Sequence, residues 1–190
     1  MDDIQLRHEL EARHPESFGW ALCCCRRDCH RAEDVLQQAY LKILSGAARF
    51  AGQGSFKTWL FAVIRRTALD ERRRHWLRAL RLLAYGRQRP VAAAESADDS
   101  LDRATLQPAF YAALEELPPR QRAVLHLVFY QDLSLAEAAD VMGISVGSAR
   151  QHYDRGKAAL RRKLGTLREF QERDDHDQPA GRSAIPGAVL

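Results

Sequence analysis

The sequence predicts an all-α protein of two small helical domains, a three- or four-helix bundle over residues 1–83 and a helix-turn-helix over residues 106–168. Three observations carry that prediction. Apolar residues recur at one-face helical spacing in segment after segment. The stretch 84–105, AYGRQRPVAAAESADDSLDRAT, mixes Gly, Pro, Ala, Ser and acids without a sustained apolar period, which marks a flexible linker and the domain boundary. Capping residues bracket two short helices between Asp132 and Lys163. A chain of 190 residues, 46% hydrophobic and 28% charged, has material for one good core or two small ones.

Taken in order, Ile4 to Arg26 reads as one moderately amphipathic helix with Phe18, Ala21 and Leu22 on its apolar side. The next helix is expected from near Ala32, after a break at Asp28. Val35, Leu36, Ala39, Tyr40, Ile43 and Leu44 form its apolar face, and Asp34, Gln37, Gln38 and Lys42 lie off that face. Ser45 to Ser55 carries three glycines and reads as a loop, whose tip (Ala51, Gly52, Gln53, Gly54) lets backbone come close to a partner. A third helix starts near Ser55. Its predicted buried side is Phe56, Trp59, Leu60, Val63, Ile64 and Ala68, and Lys57, Arg65, Arg66, Arg72 and Arg73 are expected at exposed positions.

Beyond the linker, Gln107 to Leu117 is expected to be helical. Pro118 and Pro119 stop it, and Pro119 fits the first turn of the following helix, where Val124, Leu125, Val128 and Phe129 supply core. Ser134 and Glu137 make a capping box, Gly143 suits the left-handed residue that ends a helix, and Ser145 suits the cap of the next. In that last helix Val146, Ala149, Tyr153, Gly156, Leu160 and Leu164 form the stripe expected to face the domain. Ser148, Gln151, Arg155 and Arg162 point away from it, and Arg150, Lys157 and Arg161 flank one side. Gln and Arg form bidentate bonds to base edges and flanking cations suit phosphates, so this is the pattern of a recognition helix in the DNA major groove. Residues 169–190 mix acids, Pro and Gly and are expected to be a disordered tail.

The net charge of +4 understates a marked asymmetry. Nine arginines stand between Arg65 and Arg89 against Asp70 and Glu71, and seven cations stand between Arg150 and Arg168 against Asp154. Two basic stretches on two domains point to a long polyanion that touches both. No apolar run reaches the length of a membrane span and the first residues form no leader pattern, so the expectation is a cytoplasmic protein without membrane insertion. H-E-x-x-H, P-loop and G-x-S-x-G motifs are absent, so neither an enzyme nor a cofactor is expected. A helix-turn-helix repressor or activator acting without polymerase stays open on these residues. Cys23, Cys24, Cys25, Cys29 and His30 offer soft ligands for zinc, but they lack paired C-x-x-C spacing, and small apolar core residues are the better reading of the cysteines.

AEDVLQQAYLKIL, FAGQGSFKTWLFAVIRRTALDERRR and LPPRQRAVLHLVFYQDLSLAEAADVMGISVGSARQHYDRGKAAL resemble, in this order, blocks of regions 2 and 4 of bacterial extracytoplasmic-function sigma factors. The resemblance covers most of Phe18 to Leu164. It implies a factor that binds core RNA polymerase at clamp and flap, recognises minus-thirty-five and minus-ten promoter elements, assists melting, and has an anti-sigma factor as partner. It places Asp34, Gln37, Gln38 and Lys42 on the polymerase side. Gly52, Gln53, Gly54, Ser55, Phe56, Lys57, Arg65, Arg66, Arg72 and Arg73 correspond to the minus-ten surface. Ser148, Arg150, Gln151, Arg155 and Lys157 correspond to the minus-thirty-five surface. Two departures stand out. Arg66 occupies a position where many members have Asn, and Gln151-His152-Tyr153 replaces a common Ser-Arg-Leu.

Overall fold

The computed structural model describes residues 2–84 and 113–164. Within them the chain is helical, with seven helices and one turn of another at 113–115, and no strand. The linker and tail assigned above fall largely outside the described residues, as does most of the helix expected from Gln107.

The first segment is two helices, α1 (Asp3–Ala12) and α2 (His14–Cys24), where sequence periodicity gives one. Pro15 is the reason: it lacks an N–H and its ring collides with the carbonyl four residues back, so the chain breaks at Arg13 and resumes with Pro in the first turn. Helix α3 (Cys29–Leu44) starts three residues earlier than expected, because the Asp28 side chain accepts from the Arg31 N–H at 3.0 Å and caps it. Helix α4 (Phe56–Ala84) begins after Ser55, whose Oγ accepts from the Thr58 N–H at 3.0 Å.

In the second half, α5 (Pro119–Phe129) carries Pro at its start, and α6 (Leu135–Met142) has the complete Ser134–Glu137 capping box. Gly143 ends α6 at φ 62°, and a three-residue turn leads into α7 (Val146–Leu164), where Ser145 caps Ser148 N–H at 3.2 Å. Helix α7 crosses α5 at Gly156. A Cβ there would lie 3.0 Å from Leu125 Cδ1 and 3.3 Å from Gln121 Cβ, so a methyl requires these side chains to shift by a few tenths of an ångström.

The two halves are packed against each other. Helix α6 lies on α4 and α5 lies on α2, and one apolar core runs from Leu36, Leu60 and Ile64 through to Val124, Leu127 and Val141. At its centre Trp20 is fully buried. Its indole N–H donates to the Phe61 carbonyl of α4 at 3.0 Å, and its ring stacks on Phe61 at 6.1 Å and on His126 of α5 at 5.5 Å. The Gln131 amide nitrogen reaches both the Glu16 carbonyl (3.5 Å) and His126 Nε2 (3.3 Å), which assigns Nε2 as an acceptor and the imidazole as neutral. Burial, aided by nearby Arg122, pushes His126 down to about 3.

Two predictions follow from this packing. Gly156→Ala adds a methyl against Leu125, which is itself buried, so the better helix propensity of Ala is outweighed and the variant loses about 1–2 kcal/mol. An unchanged urea midpoint would show that α5 gives way freely. For His126 the folded pKa lies below the unfolded one, so the unfolded chain binds more protons. Stability is therefore fully present above about pH 6.5 and declines by roughly 1 kcal/mol per pH unit as pH falls toward 3. His126→Phe should flatten that slope in pH-dependent denaturation, and an unaltered slope would assign the acid sensitivity to other groups.

Candidate nucleic-acid interface

Helix α7, the candidate recognition helix, is set by its caps and by Gly156. With Ala149, Gly156 and Leu160 buried, the opposite side of α7 is fixed in space, and Arg150, Gln151, Arg155 and Arg162 are exposed along it. Ser148 and Lys157, assigned to the same surface, are half-buried. The Ser148 hydroxyl accepts from Ser145 Oγ at 2.9 Å, and Lys157 Nζ sits 5.1 Å from the Tyr153 ring. Val146 is a correction: placed on the buried stripe by periodicity, it is 46% exposed. It stands in the first turn, where the chain has just left the Gly143–Ser145 turn and no neighbour among the described residues covers α7 there. Val146 lies at the N-terminal end of α7, and Asp154, also exposed, lies further along the helix between Gln151 and Arg155.

The second surface is built around the glycine loop. Gly52 and Gly54 take left-handed φ values of 78° and 73°, and an added Cβ at either would meet nothing within 4 Å, so their backbone is bare on the outside. Gln53 and Ser55 are exposed beside them. Behind the loop is an aromatic cluster. Phe50 meets Phe56 edge-on at 5.6 Å and Trp59 at 5.5 Å, and Phe56 meets Trp59 at 5.2 Å, all three half-buried. Sequence reading named Phe56 and missed Phe50, whose only signal is an aromatic residue in an otherwise small and polar loop.

Arg66, Arg72 and Arg73 are exposed on α4 as expected. Lys57 and Arg65 are not. Lys57 pairs with Glu16 at 3.2 Å and lies over the Phe61 ring, because the apolar patch between α2 and α4 buries its stem. Arg65 is half-buried where α4 meets the second half of the chain. Burial, with Arg120 and Arg72 adding repulsion, lowers its pKa from the ordinary value.

On α3, Asp34 and Gln37 are exposed, Gln38 is half-buried, and Leu41, 60% exposed, projects between them. Lys42 turns the other way: Nζ donates to Thr67 Oγ1 at 3.1 Å and pairs with Asp70 at 3.6 Å, pinning α3 to α4. Cys23, Cys24 and Cys25 sit at the end of α2 and Cys29 at the start of α3. Burial raises Cys23 to about 12 and Cys25 to about 11 and lifts Cys24 as well, so these three are protonated, unreactive thiols at neutral pH. Cys29 donates to the Arg27 carbonyl at 3.8 Å, and among the described residues no three His, Cys, Asp or Glu side chains gather as a metal site. No helix among the described residues is long and apolar enough to cross a membrane.

Known proteins share this arrangement. A Sigma-70 region 2 family model matches residues 11–78 and a Sigma-70 region 4 model matches residues 113–162. The chain is 30% identical over 154 residues to the ECF RNA polymerase sigma factor SigX of Bacillus subtilis, covering 75% of each. It is 31% identical over 162 residues to SigM of Mycobacterium tuberculosis, covering 84% of this chain and 77% of SigM. In fold it resembles the sigma factor RpoE of Bartonella quintana, solved with the anti-sigma factor NepR, at a TM-score of 0.67 and 22% identity over 86% of this chain and 98% of RpoE. CnrH, solved with the cytosolic domain of CnrY, gives 0.55 at the same identity over 84% of this chain and 88% of CnrH. With regions 2 and 4 matched in chain order and relatives aligned over three quarters of their length, the chain belongs to the extracytoplasmic-function sigma factors, non-enzymatic initiation factors of the sigma-70 family.

Proposed function

We propose that this sigma factor docks on core RNA polymerase through the Asp34, Gln37, Gln38 and Leu41 face of α3, reads a minus-thirty-five element with α7, and opens the minus-ten element with the glycine loop and α4. The observation that carries this reading is the exposed row Arg150, Gln151 and Arg155, held on the free side of a capped helix-turn-helix. Arg is the residue suited to guanine and Gln to adenine in the major groove, and both stand on one rigid face. Leu41 supplies the apolar anchor that a docking face of acids and amides otherwise lacks. Lys42 serves the α3–α4 contact instead. An anti-sigma factor is the partner that would hold the protein away from polymerase.

Minus-ten and minus-thirty-five elements lie about 25 base pairs apart, roughly 85 Å of duplex at 3.4 Å per pair. Regions that touch through α2–α5 and α4–α6 do not span that distance, so engagement of both elements separates them and frees Arg65. The expected linker, residues 84–105, reaches about 70 Å when fully extended, which together with the width of the two regions permits the separation.

Run-off transcription with purified core polymerase tests the whole reading. The parent should make initiation promoter-specific, and failure to do so would leave a DNA-binding protein of another kind. Arg155→Ala should lose about 1–3 kcal/mol of binding on its matched upstream element and relax preference at one base pair. An equal loss on matched and mismatched elements would assign Arg155 to the phosphates. Deleting Gly52 to Gly54 should leave duplex binding by α7 nearly intact while lowering open-complex formation, and a pre-melted mismatch bubble should restore much of the activity. Normal opening of duplex promoters by the deletion variant would reduce the loop to a connector.

A further inference from the structure

Helix α1 leaves one side in the open. At 100° per residue, Ile4, Arg7 and Glu11 fall within about 60° of one another. All three are exposed, Ile4 at 81%. The other side of the helix, with Leu10 buried and Leu6 half-buried, holds it to the domain. Arg7 and Glu11 also line a groove of about 300 Å3, together with Leu10, His14, Tyr40 and Leu44. Leu10 and Leu44 make that groove apolar, and the Tyr40 hydroxyl and His14 Nδ1 lie 3.4 Å apart beside them. Along α3 the apolar surface continues in the open, from Leu44 at 44% exposed to Leu41 at 60%.

This surface carries its own complement. Glu9 pairs with Arg13 at 3.0 Å, but Arg7 and Glu11, one turn apart, have no ion pair among the described residues. Two copies of α1 laid antiparallel about a twofold axis, with Arg7 of one opposite Glu11 of the other, make two reciprocal ion pairs. In that register Ile4 of each copy falls opposite His14 of the second copy, where His14, Tyr40 and Leu44 line the groove. An exposed isoleucine thus meets an apolar groove large enough to take it, and does so twice. A different protein would have to present knob, groove, cation and anion at this same spacing, whereas a second copy presents them by symmetry.

We propose that the face formed by α1 and the end of α3 is a self-association surface, through which two copies of this chain form a symmetric dimer. The contact runs the length of α1, about 15 Å, so the buried area lies below about 1,200 Å2, at the low end for specific interfaces. The dimer is accordingly weak, with a Kd of roughly 10 µM or more. Exposed ion pairs add little attraction, and their role here is register, because a slipped pairing sets like charges together. Leu44 enters the contact and Leu41 lies three residues before it on α3, so the dimer covers part of the face assigned to polymerase. That consequence, unlike the dimer itself, rests on the docking reading. Excess factor then pairs with itself and dissociates as polymerase becomes free.

The experiment follows the full chain by sedimentation velocity, without DNA or polymerase, from about 1 to about 200 µM. The parent should pass from monomer to dimer over that range. Arg7→Glu and Glu11→Arg should each weaken association at least about tenfold, since each sets two like-charge pairs across the axis. An equimolar mixture of the two variants should form a heterodimer with about the parent's affinity, and the double variant Arg7→Glu, Glu11→Arg should pair with itself. Misfolding of either variant would not give that rescue. Ile4→Asp should stay monomeric. A parent that remains monomeric throughout, a parent that assembles beyond the dimer, or a mixture no better than its components overturns the proposal. Added core polymerase should dissociate the parent dimer, and Ile4→Asp should bind polymerase as the dilute parent does. A dimer that binds polymerase intact would leave the self-association surface standing and overturn the placement of the docking face on α3.

Discussion

The fold depends on where Trp20 puts its indole N–H. An indole is too large to bury cheaply anywhere but the centre of a core, and once buried its N–H needs an acceptor. Here the acceptor is a main-chain carbonyl of α4, and the two faces of the side chain's surroundings are closed by Phe61 from α4 and His126 from α5. One residue of α2 thus ties together three helices drawn from both sigma regions of the chain. His126 is held neutral by the same contact, since a charge there would have neither water nor a carboxylate to face.

This arrangement divides the candidate functional surfaces into two kinds. The free side of α7, the glycine loop, the outer half of α4 and the Asp34–Leu41 face of α3 stand in solvent. Arg65 and Lys57 are drawn into contacts between elements. A cation without a carboxylate at an apolar boundary is costly to keep there, and Arg120 on the other side adds to the cost. The packed arrangement therefore carries a cost at Arg65, one of the two expected DNA contacts on α4 that it covers.

Much of this was legible in the sequence because local chemistry decides it. Ser134, Glu137, Gly143 and Ser145 act through backbone groups a few residues away, so their caps are independent of the rest of the molecule. The exposed row on α7 follows from its buried stripe for the same reason. What periodicity could not provide was which neighbour covers a second face. Helix α2 is buried against α3, α4 and α5 at once, so Trp20 belongs to no single stripe, and Phe61 is fully buried outside the face predicted for α4. Val146 departs in the opposite sense: periodicity turns this apolar residue at a helix start inward, but among the described residues nothing lies there to receive it. Pro15 carried a readable break signal that the apolar spacing on either side of it masked.

The placement of Trp20 also gives the molecule an optical label of its own. Its ring is dry and flanked by an imidazole, whereas Trp59 is half-buried and Trp76 is largely in water. Separation of α5 from α2 removes the imidazole and admits solvent to one indole of the three, so its emission changes colour and intensity while the others report on the loop and on the outer helix. The proposed separation of the two regions is in that sense open to observation without any attached dye.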